Sequence, residues 1–255
     1  MVAWLSTSWR WLSGILSLRP TLGSSGSILL NHCLRAHLRL EENYNVTACL
    51  PSPWGSYEPS KIGSPPSQAS WHELVDVYDV DGTTKIGNAT AWEAQTSCLW
   101  HRTVYVILRL PDERFLLQQR AVWKWRMGGL WDLGLSETVE LDEDLWTAAN
   151  RAVTEELGEH APRHHLRECC RLSVGWSGSM PQMQVCQADH NIVFTALGEE
   201  RLDYGQRDAE VEALEYWTME EYKHQAEVEP FRFAPWVHAL ILGCSECFGP
   251  KTAEL

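Results

Sequence analysis

Basic charge is scarce in this chain. Its 255 residues carry 21 Lys and Arg against 34 Asp and Glu, a formal net charge of −13. Phosphate backbones bind surfaces rich in Lys and Arg, so the balance argues against a nucleic-acid partner. The same acidity suits a protein that holds divalent cations on carboxylates, and equally suits a solvated surface. Long apolar runs are missing too. None reaches the roughly 18 residues of a bilayer-spanning helix, so no membrane span is expected. A zinc set is incomplete: Cys244 and Cys247 form a single C-x-x-C, with Cys169-Cys170 and His164-His165 elsewhere. Eight scattered cysteines in a chain of this size need not form a disulfide scaffold, and ordinary reduced thiols are expected. There is no internal repeat.

Acidic residues are absent from the first forty positions, which carry Arg10, Arg19, Arg35 and Arg39 among Ser, Leu and Trp. An acid-free, Arg-bearing, Ser-rich segment has the composition of a mitochondrial or plastid transit peptide. The alternative is a structureless extension on a protein of the cytoplasm. Residues 41–70 contain Pro51, Pro53, Pro59, Pro65 and Pro66 with several Ser and Gly, the composition of a linker. A folded domain is expected over 71–240, followed by a C-terminal tail at 241–255.

What is present is ordinary for a globular domain, with 44% hydrophobic and 22% charged residues. Leu74-Val75-Asp76-Val77-Tyr78 reads as a strand entering a turn at Asp79-Val80-Asp81-Gly82. A calcium loop fails there, because its first and last ligand positions would be Val77 and Asn88. The β-branched stretch from His101 to Leu110 predicts a strand, Pro111-Asp112-Glu113-Arg114 a turn, and Phe115-Leu116-Leu117-Gln118-Gln119-Arg120 a returning strand. Strand pairs followed by a helix, a strand and a helix imply α/β architecture, a mixed sheet covered by helices.

A helix is predicted over 143–158. Asp142-Glu143-Asp144 places acid at its N-terminus. Leu145, Ala149, Val153 and Leu157 recur every four residues as the stripe that packs on the sheet. Gly158 supplies the stop. Arg151 and Glu155 are spaced for an i,i+4 pair, and Arg151, Glu155 and Glu156 are expected away from the apolar stripe. Carboxylates converging on one helix face can hold Mg²⁺ or Mn²⁺.

The residues Glu143, then Arg151-Ala152-Val153-Thr154-Glu155-Glu156-Leu157-Gly158, resemble the motif of the Nudix family. That motif runs Gly, five residues, Glu, seven residues, Arg-Glu-apolar-any-Glu-Glu-any-Gly. Six of its eight fixed positions match: Glu143, Arg151, Val153, Glu155, Glu156 and Gly158. Glu137 stands at the opening Gly and Ala152 at the Glu after Arg. The resemblance covers roughly 71–240 and is nearest the branch of isopentenyl-diphosphate isomerase. It includes Trp100-His101-Arg102, Gly128-Gly129-Leu130-Trp131-Asp132 and Phe233-Ala234-Pro235-Trp236.

The resemblance implies a Nudix-type α/β/α sandwich and Mg²⁺ or Mn²⁺ as cofactor. The implied partner is a small-molecule diphosphate whose linkage is cleaved. It implies Glu155, Glu156 and Glu137 as metal ligands. Glu155, Glu156 and Asp189 are implied as catalytic residues, and Glu143, Arg151 and Gly158 as motif support. Arg120 and Lys124 would meet the substrate's phosphates, although a strand-end surface role fits Arg120 equally. Trp123, Trp125 and Trp131 would stack a base or pack in the core. An isomerase of this branch uses a Cys acid, which maps to Ser136, and a metal-binding His, which maps to Thr138. Isomerase chemistry is therefore disfavoured, although His101 matches a metal-binding His of the isomerases. Loss of a carboxylate at Ala152 leaves open a third reading, a degenerate domain that binds a phosphorylated ligand without turnover.

Overall fold

The computed structural model describes residues 33–40, 44–51, 72–124, 126–158, 165–180, 183–198 and 210–249. Its centre is β5 (Trp100–Arg109), whose side chains alternate between two cores as the two-residue strand period requires. Val104, Val106 and Leu108 enter one core; Tyr105 and Ile107 enter the other. β6 (Phe115–Arg120) divides in the same way, with Leu116 on one side and Phe115 and Leu117 on the other. A strand buried on both faces has no polar side to show, which explains the near-continuous apolar run read from the sequence.

The main sheet runs β11 (Val211–Trp217), β6, β5, β10 (Met183–Leu197), β9 (Arg167–Met180), β1 (Cys33–Leu40), β2 (Tyr44–Pro51). The short strands β7 (Trp131–Leu133) and β8 (Leu135–Thr138) pair with β6 and β5. β5 and β10 are parallel, and the other pairings are antiparallel, so the sheet is mixed as expected. A separate hairpin joins β3 (Leu74–Tyr78) to β4 (Lys85–Thr90). Its turn is held by Thr83 N–H donating to Asp79 Oδ1 at 2.9 Å and by Gly82 N–H donating to the Asp79 carbonyl at 3.0 Å. The aspartate thus organises its own turn. Helix α1 (Ala91–Thr96) follows this hairpin.

Helix α2 (Leu145–Leu157) covers one face of the sheet and carries Ala148, Ala149, Ala152, Val153 and Leu157 into that core. It begins two residues later than the expected 143, because Asp144 is the N-cap. The Asp144 carboxylate accepts from Trp146 and Thr147 N–H at 3.0 and 3.1 Å. Gly158 ends it with φ 92°, a conformation other residues adopt at a cost. Helices α3 (Met219–Val228) and α4 (Pro235–Gly243) cover the opposite face with Tyr222, Ala226, Trp236, Val237 and Leu240.

Two expected boundaries differ from the structure. Residues 33–40 and 44–51, read as leader and linker, form a hairpin whose first strand pairs with β9, Ala36 opposite Trp176. The unpaired backbone edge of β9 is what such a strand satisfies. Segment 241–249, read as tail, is core: Ile241, Cys244 and Cys247 are buried, and Phe248 meets Phe115 edge-on at 5.1 Å. The remaining leader and linker residues lie outside the described residues. Reduced thiols are also overturned. Cys169 is bonded to Cys247 and Cys170 to Cys244, across 78 and 74 residues of sequence. No described helix is long and apolar enough to cross a membrane.

Candidate active site

A cavity of about 330 Å³ opens between α1, α2, β5, β8 and the loop after β6. Four of the residues singled out from the sequence line it: Arg120, Lys124, Glu137 and Glu155, together with Arg151. Ser136 and Thr138 line it from β8 as well.

Arg151 is the hub of the acidic side. Its Nη1 lies 3.1 Å from Glu137 Oε2 and 3.5 Å from Glu155 Oε2. Its Nε and Nη2 donate to the two oxygens of Glu143 at 3.1 and 3.0 Å, and Nη2 also donates to the Thr138 carbonyl at 2.8 Å. Burial works against the guanidinium's charge, but Glu143 and Glu137 outweigh it and hold Arg151 above its ordinary range. Glu143 precedes the helix, where its carboxylate also accepts from Glu140 N–H at 2.9 Å. The motif's Arg and first Glu therefore tie the helix to the loop before it.

Glu156 does not lie with Arg151 on an outer face, as the sequence reading had it. It is 4% exposed and points toward the sheet, where Gln118 Nε2 donates to its Oε1 at 3.3 Å. Its other oxygen, Oε2, is buried with no hydrogen-bond partner. Burial pushes its pKa well above the carboxylate range, the neighbouring Glu137 pushes it further, and Lys124 and Gln118 pull back. Removal from bulk water also pushes Glu137 up, to about 8, against the pull of Arg151 and with a further push from Glu155. Burial and mutual repulsion thus raise the proton affinity of both carboxyls.

Arg120, Lys124 and Arg126 also line the cavity. Arg120 is buried rather than at a surface strand end, and its Nη1 pairs with Asp132 Oδ2 at 2.9 Å. Trp236, entering from α4, donates its indole N–H to Asp132 Oδ1 at 2.7 Å. Lys124 pairs with Glu210 at the entrance to β11. Arg126 donates to Gln187, and its guanidinium lies 5.2 Å from the Trp236 ring centre. Burial and the nearby Arg120 charge lower the pKa of Arg126, against the pull of Asp189 and Asp132. Gly128 shapes this loop: a Cβ there would stand 2.6 to 2.9 Å from the carbonyls of Lys124, Val122 and Ala121.

Asp189 is not on the cavity surface. It is buried behind it on β10, with Oδ1 3.0 Å from Nε2 of the fully buried His101 and Oδ2 accepting from Gln187 Nε2 at 2.5 Å. Burial raises its pKa, but His101, Arg126 and Gln187 bring it below the ordinary value. Gln187 is the cavity-lining residue that it orients. His101 Nδ1 meets the Leu99 carbonyl at 2.9 Å, so this histidine is bound inside the fold. Trp131 packs in the core against Trp217, with ring centres 5.5 Å apart, and Trp125 is outside the described residues. Among the described residues no three His, Cys, Asp or Glu side chains already converge as a metal-ligand set.

Glu73, Trp92, Glu140, Gln187, Glu210 and Trp236 also line the cavity, a role not legible in the sequence. They come from separate elements, and no spacing links them. Arg126 had a signal: it sits two residues after Lys124, in the loop between Arg120 and Gly128.

The family model of the NUDIX domain matches residues 99–237, more than half of the chain, and the chain belongs to the Nudix family. It is 32% identical over 149 residues to an isopentenyl-diphosphate Delta-isomerase of Roseobacter denitrificans, covering 57% of this chain and 79% of that protein. Over 107 residues it is 30% identical to the uncharacterized Nudix hydrolase YfcD of Escherichia coli, covering 39% of this chain and 59% of that one. Its fold is similar to the crystal structure of DR0079 from Deinococcus radiodurans. That likeness has a TM-score of 0.52 at 15% identity over 68% of this chain and 99% of that one, and it concerns the fold alone.

Proposed function

We propose that this chain is a divalent-metal-dependent hydrolase that cleaves a diphosphate linkage in a small nucleoside or organic diphosphate. The observation that carries the reading is the buried, unpartnered Oε2 of Glu156, which lies outside the cavity lining but is electrostatically joined to Glu137 on it; Arg120, Lys124 and Arg126 line the same cavity. A cavity lined by both acids and cations suits a metal–diphosphate pair.

The oxygens of Glu156 and Glu137 fit a hard cation such as Mg²⁺ or Mn²⁺. Mg²⁺ is commonly held by one or two carboxylates, with substrate phosphates and water completing its shell. When bound, the cation neutralises phosphate charge and makes a coordinated water more acidic. Glu155, 3.5 Å from Arg151 at the cavity wall, is the third acid of this group. Arg120 and Lys124 bind the substrate's phosphates, and Arg126 adds a third cation. Glu155 takes a proton from the attacking water, which leaves Glu137 to the cation. Asp189 holds Gln187, and through it Arg126, in place.

Phosphate release from a panel of nucleoside and organic diphosphates, with and without Mg²⁺ or Mn²⁺, tests this. Metal-dependent release that Glu156→Gln cuts by about 10²-fold or more is expected. Binding of a diphosphate without release would replace the hydrolase with a non-catalytic binder. The identity with the Roseobacter isomerase supports a second reading, isomerisation of an isoprenoid diphosphate. Product analysis on that substrate separates the two, since isomerisation releases no phosphate. An organelle location rests on the acid-free first forty residues, and an import assay with the full chain tests it.

A further inference from the structure

Four cysteines outside the cavity meet at the far end of α4. Cys169 and Cys170 are neighbours on β9, where strand alternation sends consecutive side chains to opposite faces. The β9–β10 register slips at this point: Val193 stands opposite Cys170 and Phe194 opposite Glu168, which leaves Cys169 as the extra residue of a bulge. A bulge lets both sulfurs turn to one side. Cys244 caps α4, and Cys247 follows in the 3₁₀ turn Ser245–Phe248, its N–H donating to the Cys244 carbonyl at 2.9 Å. A three-residue period places these two on one side as well. Gly243 permits the approach, because a Cβ there would stand 2.6 Å from Leu172 Cδ2 on β9. The resulting disulfides, Cys169–Cys247 and Cys170–Cys244, span Cα separations of 5.8 and 5.6 Å.

The other end of the same helix serves the cavity. Trp236 is the second residue of α4; it lines the cavity and donates to Asp132, and Arg120 and Arg126 lie over its ring. Nine helical residues separate the two ends by only about 13 Å.

We propose that these four cysteines form a thiol–disulfide latch, which sets how firmly α4 holds Trp236 against Asp132 and the two guanidiniums. The reductant is a dithiol, small or protein-borne. Its thiolate attacks the strand-side sulfur, since Cys169 and Cys170 are half-buried while Cys244 and Cys247 are buried. A mixed disulfide forms and the helix-side sulfur leaves as a thiolate, which takes up a proton. The second thiol of the reductant then displaces the strand-side sulfur and leaves as part of a cyclic or intramolecular disulfide. Each pair gains two electrons and two protons, and each dithiol loses them. Helix α4 remains folded in both states, because 235–241 is buried throughout. What reduction removes is the constraint on its last turn.

The latch extends beyond the hydrolase reading and does not depend on it, so its test uses no substrate. Amide hydrogen exchange is measured on the full chain equilibrated with oxidised glutathione, and again after dithiothreitol. Exchange across 235–248 is expected to quicken about tenfold or more on reduction, spreading to Asp132 and Leu133, while β5 stays protected. Mass spectrometry of the alkylated, oxidised chain should recover the peptides of Cys169 with Cys247 and of Cys170 with Cys244. The double substitution Cys169→Ser with Cys170→Ser should show the reduced pattern without reductant. If that variant does not fold, the reduced natural chain carries the comparison. Unchanged exchange at 235–248 would overturn the latch, as would failure of these pairs to form under oxidised glutathione. Uptake of one Zn²⁺ per reduced chain with full protection of α4 would also overturn it, in favour of a structural metal site.

Discussion

Gln118 and Glu156 meet where β6 faces α2, and the amide of the first satisfies only one oxygen of the second: Nε2 donates to Oε1 at 3.3 Å, while Oε2 is buried without a partner. Burial and the nearby Glu137 raise the proton affinity of a carboxyl so placed. Glu156→Gln keeps the shape and removes the acid. Metal-free stability at pH 7 should change by no more than about 1 kcal/mol, while metal-dependent phosphate release falls by about 10²-fold or more. Urea unfolding and steady-state kinetics measure the two separately. Equal losses in both would mean that Glu156 is structural.

Glu137 gives stability a pH dependence of unusual sign. Its folded pKa is raised, to about 8 from 4.5, so the folded chain binds the proton more tightly than the unfolded one. The stabilisation is complete below about 4.5 and is lost as pH rises toward about 8. Urea midpoints measured in EDTA should therefore decline between pH 5 and 8, and Glu137→Gln should flatten that decline. Mg²⁺ should restore stability most strongly at the alkaline end, because it binds the deprotonated carboxylates. A midpoint that rises over this range in the natural chain would contradict the placement of Glu137.

Arg120 and Asp132 form a buried ion pair, with side chains 8% and 1% exposed. Arg120→Ala removes the charged partner of Asp132 and leaves it the hydrogen bonds from the Trp236 indole and the Leu133 N–H, at 2.7 and 2.8 Å. The cost should be about 3–5 kcal/mol, well above the value for a surface pair. Thermal or urea unfolding reads this directly. A loss under 1 kcal/mol would show that the pair is open to water.

Ala152 is fully buried in the core beneath α2, one turn before Glu156. Ala152→Glu restores the family's acid and should destabilise the metal-free chain by about 2 kcal/mol or more, since a carboxyl enters an apolar site. The same variant should bind Mg²⁺ more tightly than the natural chain, measured by titration calorimetry. Unaltered affinity would place residue 152 out of reach of the cation.

Much of the fold was legible because it rests on local periodicity. The strand at Phe115–Arg120 and the apolar stripe of α2 came from spacing alone, as did the turn organised by Asp79. The four-residue stripe does not reach Glu156. Ala148, Ala152 and Glu156 form a second buried row beside it, and alanine carries little hydropathic signal. Cys169 and Cys170 gave no hint of their partners, because the bulge that turns them together exists only in the β9–β10 pairing. The hairpin at 33–51 was hidden by composition, since an edge strand needs only backbone groups to join a sheet.

The sequence by itself determined the family, through residues held at fixed spacing on one helix: Glu143, Arg151, Glu155, Glu156 and Gly158. It determined the mixed sheet too, because alternation and helical period are properties of neighbours in the chain. Tertiary structure alone decided that Glu156 is buried beside Gln118 and that Arg120 is paired with Asp132. It also decided that Asp189 stands behind the cavity and that four cysteines close on the helix bearing Trp236. These depend on which distant surfaces meet, and burial, pairing and proton affinity are set by that meeting rather than by residue order.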